Sequence, residues 1–298
     1  MDAPKSLPIR HHLDMRFFAD AIAFTAARQD FVPALIEKDY FCSLVLAYFS
    51  SGVTSGLVFK GGTCLTKVHA GFYRLSEDLD FTVPMPSHAR RAERSRKMEP
   101  VKRMFDNLVD ALPEFRKAEP LRGANDSTQY IGSFSYESMI HRNRETIKIE
   151  ISLREPLLYA AVPQGAATIL MNPLSGQPLI PAVQIACINK REALAEKFRA
   201  AMTRREPAIR DYFDIDYAVG NGVIDPTEGP WMQMVERKIM VPGNEPIDVS
   251  EERLNALKKQ LEPGLKTVLR AKEFEAFDLD RAFSIVSKVA SALRAIRT

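Results

Sequence analysis

Cysteine is scarce in this chain. Cys42, Cys64 and Cys187 stand far apart in apolar or small-residue surroundings. An odd number without ligand spacing excludes a disulfide framework and argues against a zinc site, and a reduced cytosolic setting fits best. Long hydrophobic runs are also missing. The longest, Phe41–Phe49 with its single Ser43, is far shorter than a membrane span requires. The opening segment, MDAPKSLPIRHHLDM, has no apolar core of signal-peptide length. The sequence therefore predicts a cytoplasmic protein that does not engage a membrane. No strong charge of one sign is present either. The formal net charge is +3, so any nucleic-acid contact must come from a local patch. There is no internal repeat and no low-complexity tract.

Core material is plentiful. Apolar residues make up 46% of the chain and charged residues 27%, the balance of an ordinary globular protein. At 298 residues, one large domain or two smaller ones are equally allowed.

Apolar spacing predicts helices from about Leu13 to Phe49, with Pro33 opening the second, where its missing N–H costs nothing. Gly56 precedes Leu57-Val58-Phe59, read as a buried strand, and Gly61-Gly62 makes a turn. Thr63 is a candidate N-cap for the helix that follows. A second strand is expected at Leu79–Val83, stopped by Pro84 and Pro86. A long helix should carry the basic run Arg90, Arg91, Arg94, Arg96, Lys97, Lys102 and Arg103, opposed only by Glu93 and Glu99. Residues 113–130 look like loop. Strands follow at Ile131–Tyr136 and Thr146–Leu153, where Ile147, Ile149 and Ile151 face one way and Lys148, Glu150 and Ser152 the other. The expected organisation is α+β: a lobe at 1–160 with a small mixed sheet and N-terminal helices, a connector at 161–184 rich in proline and glycine, and a helical lobe at 185–298.

The chemistry concentrates in LVFKGGTCLTKVHAGFYRLSEDLDFTV, residues 57–83. Without Cβ atoms, Gly61 and Gly62 let the backbone approach a phosphate whose oxygens meet the amides of the next helix. On an extended strand, Asp78 and Asp80 share a side and can hold one hard cation between them. Lys67 and Arg74 are candidates to neutralise phosphate charge, and Ser76 to bind a phosphate oxygen or orient an acid. Each short motif alone is usually an ordinary turn or a solvated strand edge; together, in this order, they point to nucleotide chemistry. Glu150 is the best candidate for a third metal-binding carboxylate, with an exposed Lys148–Glu150 pair as the competing reading. The basic run at 90–103 reads first as a solvated helix face, with an RNA backbone as the alternative occupant. His69 and His141 read as structural or surface histidines, and Trp231, after Gly229-Pro230, as a packing anchor.

Gly61-Gly62-Thr63 followed by Arg74-x-Ser76-x-Asp78-x-Asp80 resembles the AbiEii-type nucleotidyltransferase toxins, a branch of the polymerase-beta-like superfamily. The upstream Glu37-Lys38-Asp39-Tyr40 is similar to a segment that often precedes the turn in that family. Glu196-Lys197-Phe198-Arg199 and Arg210-Asp211-Tyr212-Phe213-Asp214 resemble its later motifs. The match samples about residues 37–217. The resemblance implies Mg²⁺ or Mn²⁺ on Asp78 and Asp80, with Ser76 and Lys197 on the triphosphate and Asp211 in the catalytic centre; Asp214, one helical turn from Asp211, joins the nucleotide-binding set with Thr63. Read from residues alone, Lys197 is equally an ordinary surface lysine, and the two aspartates are partners for Arg204, Arg205 or Arg210. The implied activity transfers NMP from a nucleoside triphosphate to an acceptor, the 3′ end of tRNA, as the toxin of a toxin–antitoxin or phage-defence pair with a cognate antitoxin. Two alternatives stay open: a transferase that modifies a protein or small molecule, and a non-catalytic RNA-binding regulator.

Overall fold

The structure is a computed structural model that describes residues 10–52 and 56–297; the first nine residues of the N-terminal segment lie outside it. The chain divides into two compact units, Met1–Ile188 and Asn189–Thr298.

In the first unit, α1 (Met15–Gln29) starts where Asp14 accepts a hydrogen bond from the Phe17 amide at 3.1 Å. Pro33 opens α2 (Pro33–Ser51). Leu35, Ile36, Tyr40, Phe41, Leu44, Val45 and Phe49 are all buried, which makes α2 apolar on nearly every side, the mark of a helix inside the core.

Seven strands form one mixed sheet among the described residues: β1 (Val58–Lys60), β2 (Leu79–Thr82), β3 (Arg116–Ala124), β4 (Gln129–Glu137), β5 (Arg144–Ser152), β6 (Val162–Ala166) and β7 (Val183–Cys187), in the order β3-β4-β5-β2-β1-β7-β6. The β2–β5 and β1–β7 pairs are parallel and the others antiparallel. Alternation sorts the side chains as expected. Ile147, Ile149 and Ile151 are fully buried, and their ladder partners Phe134 on β4 and Leu79 and Phe81 on β2 lie on the same face. Helices cover that face. Phe41 of α2 stacks on Tyr136 at 3.9 Å, and Phe105 of α4 (Arg91–Asp106) meets Phe134 at 4.2 Å.

Two expectations change. Residues 113–130 are not all loop, because β3 occupies Arg116–Ala124. Leu121 is its only buried residue, so a polar edge strand with Pro120 in it has no hydrophobic alternation to reveal it. The stretch 161–184 supplies β6 and the start of β7. Pro163 is tolerated there because β6 is the outermost strand.

The second unit is helical. It comprises α6 (Lys190–Thr203), after the short α5 (Leu108–Ala111) of the first unit, then α7 (Ile209–Gly220), α8 (Gly229–Ile239), α9 (Glu251–Lys258), α10 (Leu261–Leu265), α11 (Ala271–Ala276) and α12 (Leu279–Arg297). Asn189 caps α6 through the Arg191 amide at 2.9 Å. Trp231 is fully buried and meets Phe198 edge-on at 4.5 Å, the packing role its position suggested. Lys238 is buried between Glu192 at 2.7 Å and Glu196 at 3.1 Å. Among the described residues no helix is long and apolar enough to cross a membrane.

Candidate active site

β1 ends at Lys60 and the chain turns at once into α3 (Gly61–Cys64), which widens into a π turn at Leu65–His69. Gly61 has φ +75°, a conformation L side chains rarely adopt. A Cβ there would lie 2.1 Å from Oδ2 of Asp80, so the carboxylate occupies the space that glycine leaves. At Gly62 a Cβ would lie 2.5 Å from Nη2 of Arg74 and 3.2 Å from Oγ of Ser76. Both glycines are therefore dictated by close neighbours, and those neighbours are the residues of the Arg-x-Ser-x-Asp-x-Asp segment. Thr63 is not the N-cap, which falls at Lys60 without a side-chain bond. The Thr63 hydroxyl instead donates to the carbonyl of Asp78 and pins the helix to the entrance of β2.

Register then brings in the third acid. Asp80 pairs with Glu150 across the parallel β2–β5 ladder, so the two carboxylates stand side by side on the face opposite the buried isoleucines. Asp78 is exposed and Asp80 half-buried. Both raise the pKa of Lys148, where burial opposes the charge but the hydrogen bond to Glu150 and the three neighbouring carboxylates outweigh it. Glu150 accepts from Gln129 at 2.7 Å and Lys148 at 3.0 Å. Burial pushes its pKa up, yet these partners hold it below the ordinary value. Glu150 thus has features of both readings, an ion pair with Lys148 and a place beside Asp80. Among the described residues, no three His, Cys, Asp or Glu side chains converge as a metal cluster.

Lys67 is corrected. Its side chain is fully buried and its ammonium meets Oδ1 of Asp39 at 2.7 Å, Ser43 Oγ at 2.9 Å and the Ala167 carbonyl at 3.1 Å. An ammonium has three protons, and these oxygens engage them all. Arg74 is also buried, donating to the Leu75 carbonyl at 2.9 Å with its other end under Gly62. It buttresses the turn from beneath.

The Glu37–Tyr40 segment carries a structural task that spacing did not reveal. Asp39 holds Lys67 with one oxygen and the Ile169 amide, at 3.1 Å, with the other. Glu37 accepts from Ser138 at 2.6 Å and from the Met139 amide at 2.7 Å. Tyr40 meets His12 at 3.0 Å, and burial pushes its hydroxyl up to about 12. One turn of α2 thereby ties down the π turn, the β4–β5 hairpin and the strand-like stretch near Thr168.

In the second unit, Lys197 on α6 pairs with Asp211 at 2.7 Å and Asp214 at 2.9 Å, both on α7. Arg204 reaches Asp211 at 3.3 Å. Burial disfavours the Asp211 anion, but Lys197 and Arg204 hold its pKa below the ordinary value. Lys197 is thus no simple surface lysine: its side chain is only 13% exposed. A cavity of about 740 Å³ in this unit is lined by Arg204, Arg205, Arg253 and Arg294 with Glu245 and Asp248; neither Lys197 nor the aspartates of α7 line it. His69 bonds the Ile188 carbonyl at 3.0 Å and His141 pairs with Glu145 at 2.9 Å, and all three cysteines are buried thiols.

A glycine turn after one strand, a carboxylate pressed into it from the next and a second carboxylate in register make up the candidate site. The sequence matches the family described as nucleotidyl transferase AbiEii toxin, type IV toxin–antitoxin system, over residues 45–284, and the chain belongs to that family. It is a nucleotidyltransferase toxin. Among solved structures, MenT4, a nucleotidyltransferase toxin from Mycobacterium tuberculosis, is similar with TM-score 0.51 at 18% identity, covering 97% of this chain and 100% of that one. A putative nucleotidyltransferase from H. pylori aligns with TM-score 0.45 at 14% identity, over 96% of this chain and 95% of that one. The likeness to MenT4 concerns the fold. No curated protein matches the sequence.

Proposed function

We propose that this toxin transfers NMP from a nucleoside triphosphate to a hydroxyl acceptor, the 3′ end of tRNA, in the bacterial cytoplasm. A cognate antitoxin restrains it, in a toxin–antitoxin or phage-defence pair. The observation that carries the reading is the Asp80 carboxylate filling the space left by Gly61 while standing in register with Glu150. A phosphate seated on the α3 amides would lie next to that acid.

The donor set fits a hard divalent ion, because Asp78, Asp80 and Glu150 offer only carboxylate oxygens. Asp78 and Asp80 would hold Mg²⁺ or Mn²⁺, and Glu150, whose oxygens also accept from Lys148 and Gln129, would be the third ligand. When bound, the ion supplies charge neutralisation on the triphosphate and acidifies the attacking hydroxyl. The chain's own contribution is positioning: the Gly61-Gly62 amides cradle phosphate oxygens, Ser76 donates to one of them, and Arg74 and Thr63 hold the turn and the acids in fixed relation. Lys197, already aligned by Asp211 and Asp214, serves as the triphosphate cation, and Asp211 tunes it.

Purified protein incubated with each α-labelled nucleoside triphosphate and total tRNA tests this. Label in tRNA, lost in Asp80→Asn, is expected. Label in protein or in a small molecule would replace the acceptor, and no label with any of the four nucleotides would remove the transfer reaction itself.

A further inference from the structure

The sheet of the first unit has a second face, opposite the helices, and its residues follow from the ladder. Reading across one row, Asp80 on β2 pairs with Glu150 on β5, Glu150 with Ile131 on β4, and Ile131 with Arg122 on β3. Residues opposed in a ladder project to the same side. Arg122 therefore stands on the same face as the two carboxylates, three strand intervals away, about 14 Å at the usual spacing near 4.8 Å. Two further pairs confirm the side despite the bulges in β3. Leu121 is buried against Gly132 on the helix face, which turns Arg122 the other way. Lys117 bonds Asp106 of α4, so Arg116 also faces away from the helices, opposite Ser135.

Between the acids and these arginines lie Ile131 and the buried Ser133 and Ser135, while Lys148 and Gln129 direct their ammonium and amide groups to Glu150. Arg116 and Arg122 are exposed, and neither meets an acidic partner in any ion pair among the described residues. β3 is an edge strand, but Pro120 and two register shifts spoil it for strand addition. Among the described residues, no exposed aromatic or large aliphatic anchor of the kind a protein interface needs lies on this face. Exposed cations that can fix a chain at one end of the row and acids at the other form the pattern of a phosphodiester platform.

From this row we infer that the β2–β5–β4–β3 face binds a single phosphodiester strand, with Arg116 and Arg122 holding backbone phosphates while the strand's end lies at Asp78 and Asp80. This rests on the reading given under Proposed function for the role of those acids. Binding itself does not require transfer to occur. Glu119, which pairs with Ser133 on the same face, works against an anion, so its neutralisation strengthens the platform.

The test measures binding of fluorescein-labelled single-stranded RNA and DNA 16-mers of one sequence to the full chain, by anisotropy over a salt series without nucleotide. Arg116→Gln/Arg122→Gln should weaken RNA binding at least about tenfold and reduce the salt slope by about 1.4, two phosphate contacts on a single strand. Arg116→Lys/Arg122→Lys should retain most of the affinity, and Glu119→Gln should tighten it. Arg91→Gln/Arg103→Gln on α4, which covers the opposite face, should change it little. Circular dichroism melting of each variant keeps a folding defect apart from a binding defect. A loss confined to RNA assigns the strand as RNA, and an equal loss on DNA assigns the shared backbone chemistry. No binding by wild type, or a loss on α4 with none on β3, overturns the platform. If wild type binds through β3 yet labels no acceptor, the transfer reading falls and the platform stands. If it labels tRNA and Arg116→Gln/Arg122→Gln leaves binding and labelling intact, the platform falls alone.

Discussion

Gly61 and Asp80 compete for the same volume, and that sets the sign of any change at the turn. Gly61→Ala places a methyl 2.1 Å from the Asp80 carboxylate at a φ of +75°. The backbone cost alone is about 1–2 kcal/mol, and the carboxylate must move as well. Nucleotide transfer should fall by about 10²-fold or more, the range seen when preorganised electrostatics are lost, while the thermal melt shifts modestly; an active Gly61→Ala would detach Asp80 from the chemistry. Lys67 makes the opposite prediction. Its ammonium neutralises Asp39 in a fully buried pair, and stripping one partner from such a pair costs about 3–5 kcal/mol. Lys67→Met should therefore lower unfolding free energy in urea by about that much, while nucleotide affinity of the folded fraction stays near wild type. Asp39→Asn/Lys67→Met should recover part of the loss, because no lone charge stays buried. A tenfold weaker nucleotide affinity without destabilisation would instead return Lys67 to the phosphates.

Helices α6 and α7 carry an ion cluster whose pH behaviour follows from its geometry. Asp211 is buried, which alone would raise its pKa, but Lys197 and Arg204 bring it below the ordinary carboxylate value. A group depressed in the folded state contributes stability above its unfolded pKa, about 3.9 for aspartate, and that contribution is lost as pH falls through the folded value. Wild type should therefore lose stability relative to Asp211→Asn as pH drops below about 4, with the two converging at the acid end; urea midpoints taken from pH 3 to 7 would show it. Elements also differ in how much of them sequence discloses. The 147–151 alternation was legible because one face meets the core and the other does not, and Pro33 marked a helix start because only a first turn tolerates it. β3 was illegible: an edge strand with one buried residue carries no period. β6 hid behind a proline that an outer strand can accept, and β7, too short to show a period, ran on to Cys187 where the helical lobe was expected to have begun. At the site, the glycine turn and the acids were legible as neighbours, since both lie within one short segment. The capture of Lys67 by Asp39 and Ala167 was not, because those partners are 28 and 100 residues away in sequence and only the fold joins them.

The whole molecule distributes its candidate chemistry over two units, with Asp78, Asp80 and Glu150 in one and Lys197, Asp211 and Asp214 in the other. A buried cluster that only stabilised the helical unit would be expected to affect folding without affecting catalysis. Under the proposed reaction each set is required for turnover, so Asp80→Asn and Lys197→Met should each abolish label transfer and growth arrest while melting cooperatively. Chelation should mimic Asp80→Asn but leave nucleotide-free stability unchanged, with activity returning on addition of Mg²⁺ or Mn²⁺. Should Lys197→Met keep full activity with a lowered melting temperature, the α6–α7 cluster is structural and the triphosphate cation must come from the first unit.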